Sequence, residues 1–146
     1  MDMEPLKVPA SLESLGAVGR YVMSGATLAE IDRKRAYQLR LAVDEIVTNI
    51  IIHGYEEAGL QGDVELRMSV DDTSLRLVIE DTAIAFDPRE VPEPAGLDDP
   101  LEDRAIGGLG VYLALRGADE FQYERVDNSN RNIFIVHRAP VPLDSA

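Results

Sequence analysis

The sequence has no cysteine and no tryptophan, and aromatic residues make up only 5% of it. Without cysteine there can be no disulfide, thiolate nucleophile or thiolate metal ligand. With so few aromatics, aliphatic side chains must build the core. Basic residues are also scarce: 14 Lys and Arg stand against 27 Asp and Glu, for a net charge of −13. That balance argues against non-specific nucleic-acid binding, which draws on basic surface, and against docking on anionic lipid. It permits a basic partner protein, and it leaves a nucleotide open, because backbone amides bind phosphate even on an acidic protein. No apolar run approaches the roughly 18 residues of a membrane span. The opening MDMEPLK is acidic and unlike a signal peptide, so the expected setting is the cytoplasm. There is no internal repeat.

What is present suits a globular fold. A length of 146 residues with 45% hydrophobic content predicts one domain, residues 1–146, with a sizeable core. Residues 3–9 read as a short edge strand, kept short by Pro5 and Pro9. Ser11 is placed to cap a helix that runs to Ser24 and stops at Gly25. Thr27 and Glu30 have the spacing of a capping box for the next helix, whose signal continues to Tyr55. Residues 64–70 alternate as a strand; Asp71, Asp72, Thr73 and Ser74 form a turn, and residues 75–79 a second strand ending at Glu80 and Asp81. Residues 88–104 form a long loop with four prolines. Gly107 then opens a short helix over 109–116. Residues 121–126 and 132–138 close the pattern as a hairpin across 127–130, and residues 140–146 form a tail. Helices first, then strands without regular alternation, predict an α+β two-layer sandwich with a mixed, largely antiparallel sheet.

The chain is organised around residues 38–55, QLRLAVDEIVTNIIIHGY. At roughly 100° per residue, Glu45, Asn49 and His53 fall on one narrow stripe, one turn apart. Leu39, Val43, Ile46, Val47, Ile50 and Ile51 fill the opposite arc. Leu41, Ala42 and Ile52 crowd the stripe, so Glu45 and Asn49 are expected half-buried and in need of partners. An Asn oxygen is a good Mg²⁺ ligand, and a Glu one turn away can orient or deprotonate a hydroxyl. The same pair is also compatible with a plain polar face, and His53 with a residue that favours the helix C-terminus.

Asp81 ends a buried strand with Phe86-Asp87-Pro88 beyond it. A carboxylate there can accept a hydrogen bond from an exocyclic amine, or can simply form a turn. Gly107-Gly108-Leu109-Gly110 opens a helix, where backbone N–H groups can approach anionic oxygens; a hinge is the other reading. Arg104, just before it, can close over a phosphate or remain a solvated charge.

The order of these pieces is more specific than any one of them. E-x-x-x-N on a helix, D-x-A-x-A-F-D-P after a strand, and a proline-rich loop into GGLG resemble the histidine-kinase-like (GHKL) ATPase superfamily. AVDEIVTN, FDP, IGGLGVYLALRGADEFQYER and NSNRN are similar to the anti-sigma-factor serine/threonine kinases over nearly the whole chain. The resemblance implies a Bergerat-type site for ATP and Mg²⁺. Asn49 would hold the metal, Glu45 would be the general base, and Asp81 would bind the adenine amine. Ala85, Phe86, Arg104, Gly107, Gly108, Leu109 and Gly110 would complete the nucleotide site, with residues 87–106 as the lid. It further implies phosphorylation of a STAS-domain antagonist, possible capture of a sigma factor, and a homodimer, with no nucleic acid or membrane as direct partner.

Two departures bear on activity. Ala83 and Ala85 stand where the superfamily prefers glycine, and the last strand lacks the threonine expected near Ile135. Both fit an alternative reading, a non-catalytic or nucleotide-free anti-sigma module. An acidic α+β domain with a glycine hinge is the third.

Overall fold

The computed structural model describes residues 1–90 and 114–139. Within them, two helices lie on one face of a five-stranded sheet. The strands are β1 (Leu6–Pro9), β2 (Asp63–Val70), β3 (Ser74–Asp81), β4 (Glu120–Val126) and β5 (Ser129–His137), in the order β1-β2-β3-β5-β4. All four pairings are antiparallel, so the parallel pairing that a mixed sheet admits is absent among the described residues. Strand alternation sends Val64, Leu66, Met68, Leu75, Leu77, Ile79 and Phe134 into one core. The other face carries charge, where Glu65, Arg67, Glu80, Arg131 and Glu124 form a ladder of ion pairs. No helix among the described residues is long and apolar enough to cross a membrane.

The first helix, α1 (Leu15–Leu28), runs through Gly25 rather than stopping there. Gly25 is needed for space. A Cβ at this position would lie 1.6 Å from the Met68 sulfur, so the missing side chain lets α1 press against β2. Thr27 does not cap the next helix either; its hydroxyl donates back to the Met23 carbonyl at 2.9 Å. The true stop is Glu30, at φ +55°. Its N–H reaches the Thr27 carbonyl at 3.1 Å, and the Ile31 N–H reaches that of Ala26 at 3.0 Å. This is a Schellman end with glutamate at the left-handed position that glycine favours. The second helix, α2 (Arg33–Asn49), starts instead at Asp32, whose carboxylate accepts from the Arg35 N–H at 3.1 Å.

From Asn49 the helix continues without a break into a π-helical stretch, Ile50–Glu56. Hydrogen bonding to the fifth residue widens the turn, so side chains beyond Asn49 drift off the stripe that a regular helix would extend. The β4–β5 turn is also tighter than expected. Val126 pairs directly with Ser129, leaving Asp127 and Asn128 to make the reversal, with Asp127 at φ +54°. Asn130 is therefore inside the strand. The expected glycine-loop helix start, Arg104 and the tail lie outside the described residues.

Gly25→Ala is expected to destabilise the protein by about 1–3 kcal/mol through overpacking against Met68. Chemical denaturation measures this, and a second change, Met68→Ala, should recover part of the loss.

Candidate functional site

The site forms where the end of β3 meets the widened end of α2. Between them is a small, partly enclosed pocket. The helix side contributes Ile46, Asn49, Ile50 and Gly54. The end of β3 contributes Asp81, the segment after it Ala83, Ile84, Phe86 and Pro88, and β5 adds Asn130 and Asn132. The π-helical turn explains one member of this set. His53 is four residues beyond Asn49, but it is exposed and pairs with Glu57 at 2.9 Å; Gly54, the fifth residue, faces the pocket instead. A Cβ on Gly54 would lie 2.8 Å from the Ala83 methyl, so glycine here lets helix and loop close together.

Asp81 is the chemical focus. It is 2% exposed. Its Oδ1 accepts from the Ala83 N–H at 3.0 Å and from the Asn130 amide at 2.9 Å, while its Oδ2 is buried with no hydrogen-bond partner among the described residues. Burial pushes the carboxyl above its ordinary range; the bonds from Asn130 and Ala83 and the charge of Arg125 pull the other way without cancelling it. Asn132 is likewise 2% exposed, and its Oδ1 is buried and unpaired. Two residues of the pocket lining thus each carry a buried acceptor with no partner among the described residues, a state that natural interiors rarely tolerate without a reason.

The segment beyond Asp81 is held from both sides. The Tyr55 hydroxyl accepts the Thr82 N–H at 2.9 Å and donates to the Asp63 carbonyl at 2.9 Å, and the Ile84 N–H points to the Gly54 carbonyl at 3.5 Å. From the sheet edge, Arg125 Nη1 donates to the Ala83 carbonyl at 3.1 Å.

Asn49, Asp81 and Phe86 all line this one pocket. Asn49 and Glu45 are half-buried. Glu45 faces a neighbouring groove bordered by Leu41, Ala42 and Ala114. Burial raises its carboxyl pKa, Asp44 adds to the effect, and His53 opposes it. Ala85 is exposed and is not part of the pocket lining. Arg104, Gly107, Gly108, Leu109 and Gly110 lie outside the described residues.

Ile135, where a polar side chain was sought, is out of phase with Asn132 and Phe134 and belongs to the sheet's other face. The polar residues that line the pocket with Asp81 from β5 are Asn130 and Asn132, where the sequence pattern alone places a turn and a strand start. Their signal was the alternation Asn130, Asn132, Phe134, Val136: two amides in phase with buried apolar residues.

The chain is similar to known proteins over most of its length. The family described as histidine kinase-like ATPase domain matches residues 8–136. The serine-protein kinase RsbW of Bacillus pumilus (strain SAFR-032) is 30% identical over 129 residues, covering 85% of this chain and 79% of that protein. The RsbW of Bacillus subtilis (strain 168) is 30% identical over 132 residues, covering 84% and 78%. Among solved structures, the histidine kinase domain from the Erythrobacter litoralis EL346 blue-light activated histidine kinase is 17% identical. Its TM-score is 0.47, over 88% of this chain and 61% of that one. From the family match and its relatives, the chain belongs to the histidine kinase-like ATPases, in the branch of the anti-sigma-factor serine kinases.

Proposed function

We propose that the pocket takes the adenine ring of ATP, and that the chain is an ATP-dependent serine/threonine protein kinase and anti-sigma-type regulator. Its substrate would be a STAS-domain antagonist in a partner-switching pathway. The observation that carries the reading is the pair of unpaired acceptors, Asp81 Oδ2 and Asn132 Oδ1. An exocyclic amine brings two donor hydrogens to such a pair. A keto oxygen in the same place would leave both acceptors unpaired and be rejected strongly.

Asn49 is suited to Mg²⁺, which takes one or two protein oxygens and completes its shell with water and phosphate. When bound, Mg-ATP supplies the phosphoryl group, with the metal neutralising charge as that group transfers. The chain's own work is positioning and proton transfer. Glu45, one helical turn before Asn49, would accept the proton of the incoming serine or threonine hydroxyl. Its raised pKa brings it nearer the working pH of a general base. The neighbouring groove gives the hydroxyl an approach separate from the base pocket. A second reading, nucleotide binding without transfer, draws on Ala83, whose buried methyl stands in the pocket wall.

Asn49→Ala should keep the fold and lose Mg-dependent ATP binding. Wild type should gain roughly 1–3 kcal/mol of linkage stabilisation from Mg-ATP in a thermal-shift titration, and the variant should gain none. A variant that binds Mg-ATP like wild type removes Asn49 from the metal role. Incubation of wild type with labelled ATP and a STAS-domain protein then separates the two readings: phosphate transfer supports the kinase, and partner binding without transfer supports the module.

Asp81→Asn should separate stability from binding. The folded state holds the Asp81 proton more tightly than the unfolded chain does. Its destabilising contribution therefore begins as the pH rises past about 3.8 and is complete once the raised folded value is passed. At neutral pH the substitution should raise Tm by about 2–4 °C, on the order of 1 kcal/mol, while abolishing ATP binding, because an amide donor would face the amine.

For Glu45, transfer should fall as the pH drops through its raised pKa, since only the ionised carboxylate accepts a proton. Glu45→Gln should slow transfer by roughly 10²–10⁴-fold and flatten that acid limb in a rate-versus-pH profile.

A further inference from the structure

We propose that Asn130 is the positioning residue of the base pocket. It holds the Asp81 carboxylate with Oδ2 toward the pocket, and it anchors the irregular segment 82–86 that forms the pocket floor. The proposal deepens the adenine reading above and rests on it for its consequence in binding.

Asn130 is 3% exposed. It lies in register between Asp81 on β3 and Arg125 on β4, and both ends of its carboxamide are engaged. Nδ2 donates to Asp81 Oδ1 at 2.9 Å, to the Ile84 carbonyl at 3.0 Å and to the Ala83 carbonyl at 3.3 Å. Oδ1 accepts from the Tyr123 hydroxyl, and from the Phe86 N–H at 3.4 Å. Each of these contacts except Tyr123 is to the strand-end carboxylate or to the loop. Tyr123 in turn fixes which way the amide faces.

The two oxygens of a carboxylate are chemically equivalent, so something must decide which of them meets a ligand. Asn130 and the Ala83 N–H both donate to Oδ1, and Oδ2 is left for the pocket. The loop has its own requirement. Segment 82–86 has no ladder partners, so its carbonyls need other donors, and Asn130 and Arg125 supply them to Ala83 and Ile84. The job requires a donor and an acceptor on one short planar group. Aspartate at 130 would set a second carboxylate beside Asp81, and an apolar residue would take the donor from the Ile84 carbonyl and one of two donors from both Asp81 Oδ1 and the Ala83 carbonyl. Asn130 thus acts on the ligand through Asp81 and the loop.

The test uses three variants of the full chain: Asn130→Ala, Asn130→Asp and Tyr123→Phe. The last leaves the pocket lining intact and removes only the hydroxyl that orients the amide. ATP affinity, KM and kcat for transfer, and amide hydrogen exchange are measured on each. Asn130→Ala should weaken ATP binding about tenfold and Tyr123→Phe about threefold, the scale of unpairing buried acceptors. Asn130→Asp should weaken it more than Asn130→Ala at neutral pH. KM should absorb the change while kcat stays within about twofold, because the base lies away from the transferred group. Exchange at residues 82–86 should quicken in Asn130→Ala, with β2 and β3 protected as before. ATP affinity like wild type in both Asn130→Ala and Tyr123→Phe overturns the proposal, and so does unchanged exchange at 82–86. If wild type itself binds no ATP, the adenine reading fails, and the exchange measurement still decides whether Asn130 holds the loop.

Discussion

A buried carboxylate oxygen without a partner is the constraint around which the described structure is arranged. An ionised group in an apolar wall is unfavourable unless something compensates it. The chain supplies part of that compensation at Oδ1 and withholds it at Oδ2. Withholding it requires rigidity, because a loose carboxylate would turn toward water or toward Asn130 with either oxygen. The rigidity comes from β3, whose pairings with β2 and β5 both extend to Asp81, and from an apolar core that fixes where the strand ends. A local instability, held by an otherwise well-packed sheet, is the usual mark of a site kept for binding rather than for folding.

Helix α2 links this constraint to chemistry. Its apolar side packs on the sheet, which fixes its rotation, and rotation decides where Glu45 and Asn49 point. Because the two residues are one turn apart, they open onto adjacent depressions. On the proposed reading, base recognition and hydroxyl activation would be parallel tasks served from one rigid rod. Glycine contributes by absence of bulk: Gly25 lets α1 approach Met68, and Gly54 lets the end of the second helix approach Ala83.

Much of this could be read from the sequence, and the reasons for the rest are specific. Period-two alternation in 64–70 and the polar stripe on α2 are local signals; the structure keeps the first and, of the second, Glu45 and Asn49 but not His53. Gly25 and Glu30 misled because each has two physical uses. Glycine ends helices and also permits close packing, and only the position of Met68, far away in sequence, decides between them. Glutamate three residues after threonine fits a capping box, but the chain reverses at Glu30 and the motif never forms. Asn130 was missed because the four-residue polar run 127–130 looks like a turn. Pairing of Val126 with Ser129 shortens that turn by tertiary context and draws Asn130 into the strand. No propensity scale marks the π-helical stretch.

That stretch has a consequence for how the chain can change. A widened turn amounts to one extra residue inserted in a helix, and removing one residue from Ile50–Glu56 would restore the narrower coil. The remainder would then rotate as a screw does. Tyr55 would swing away from Thr82 and Gly54 from Ala83, so the pocket floor would lose its helix-side support while the helix itself stayed intact. Length here is therefore a functional variable in its own right, and a deletion of one residue would act on the pocket more severely than most substitutions in its wall.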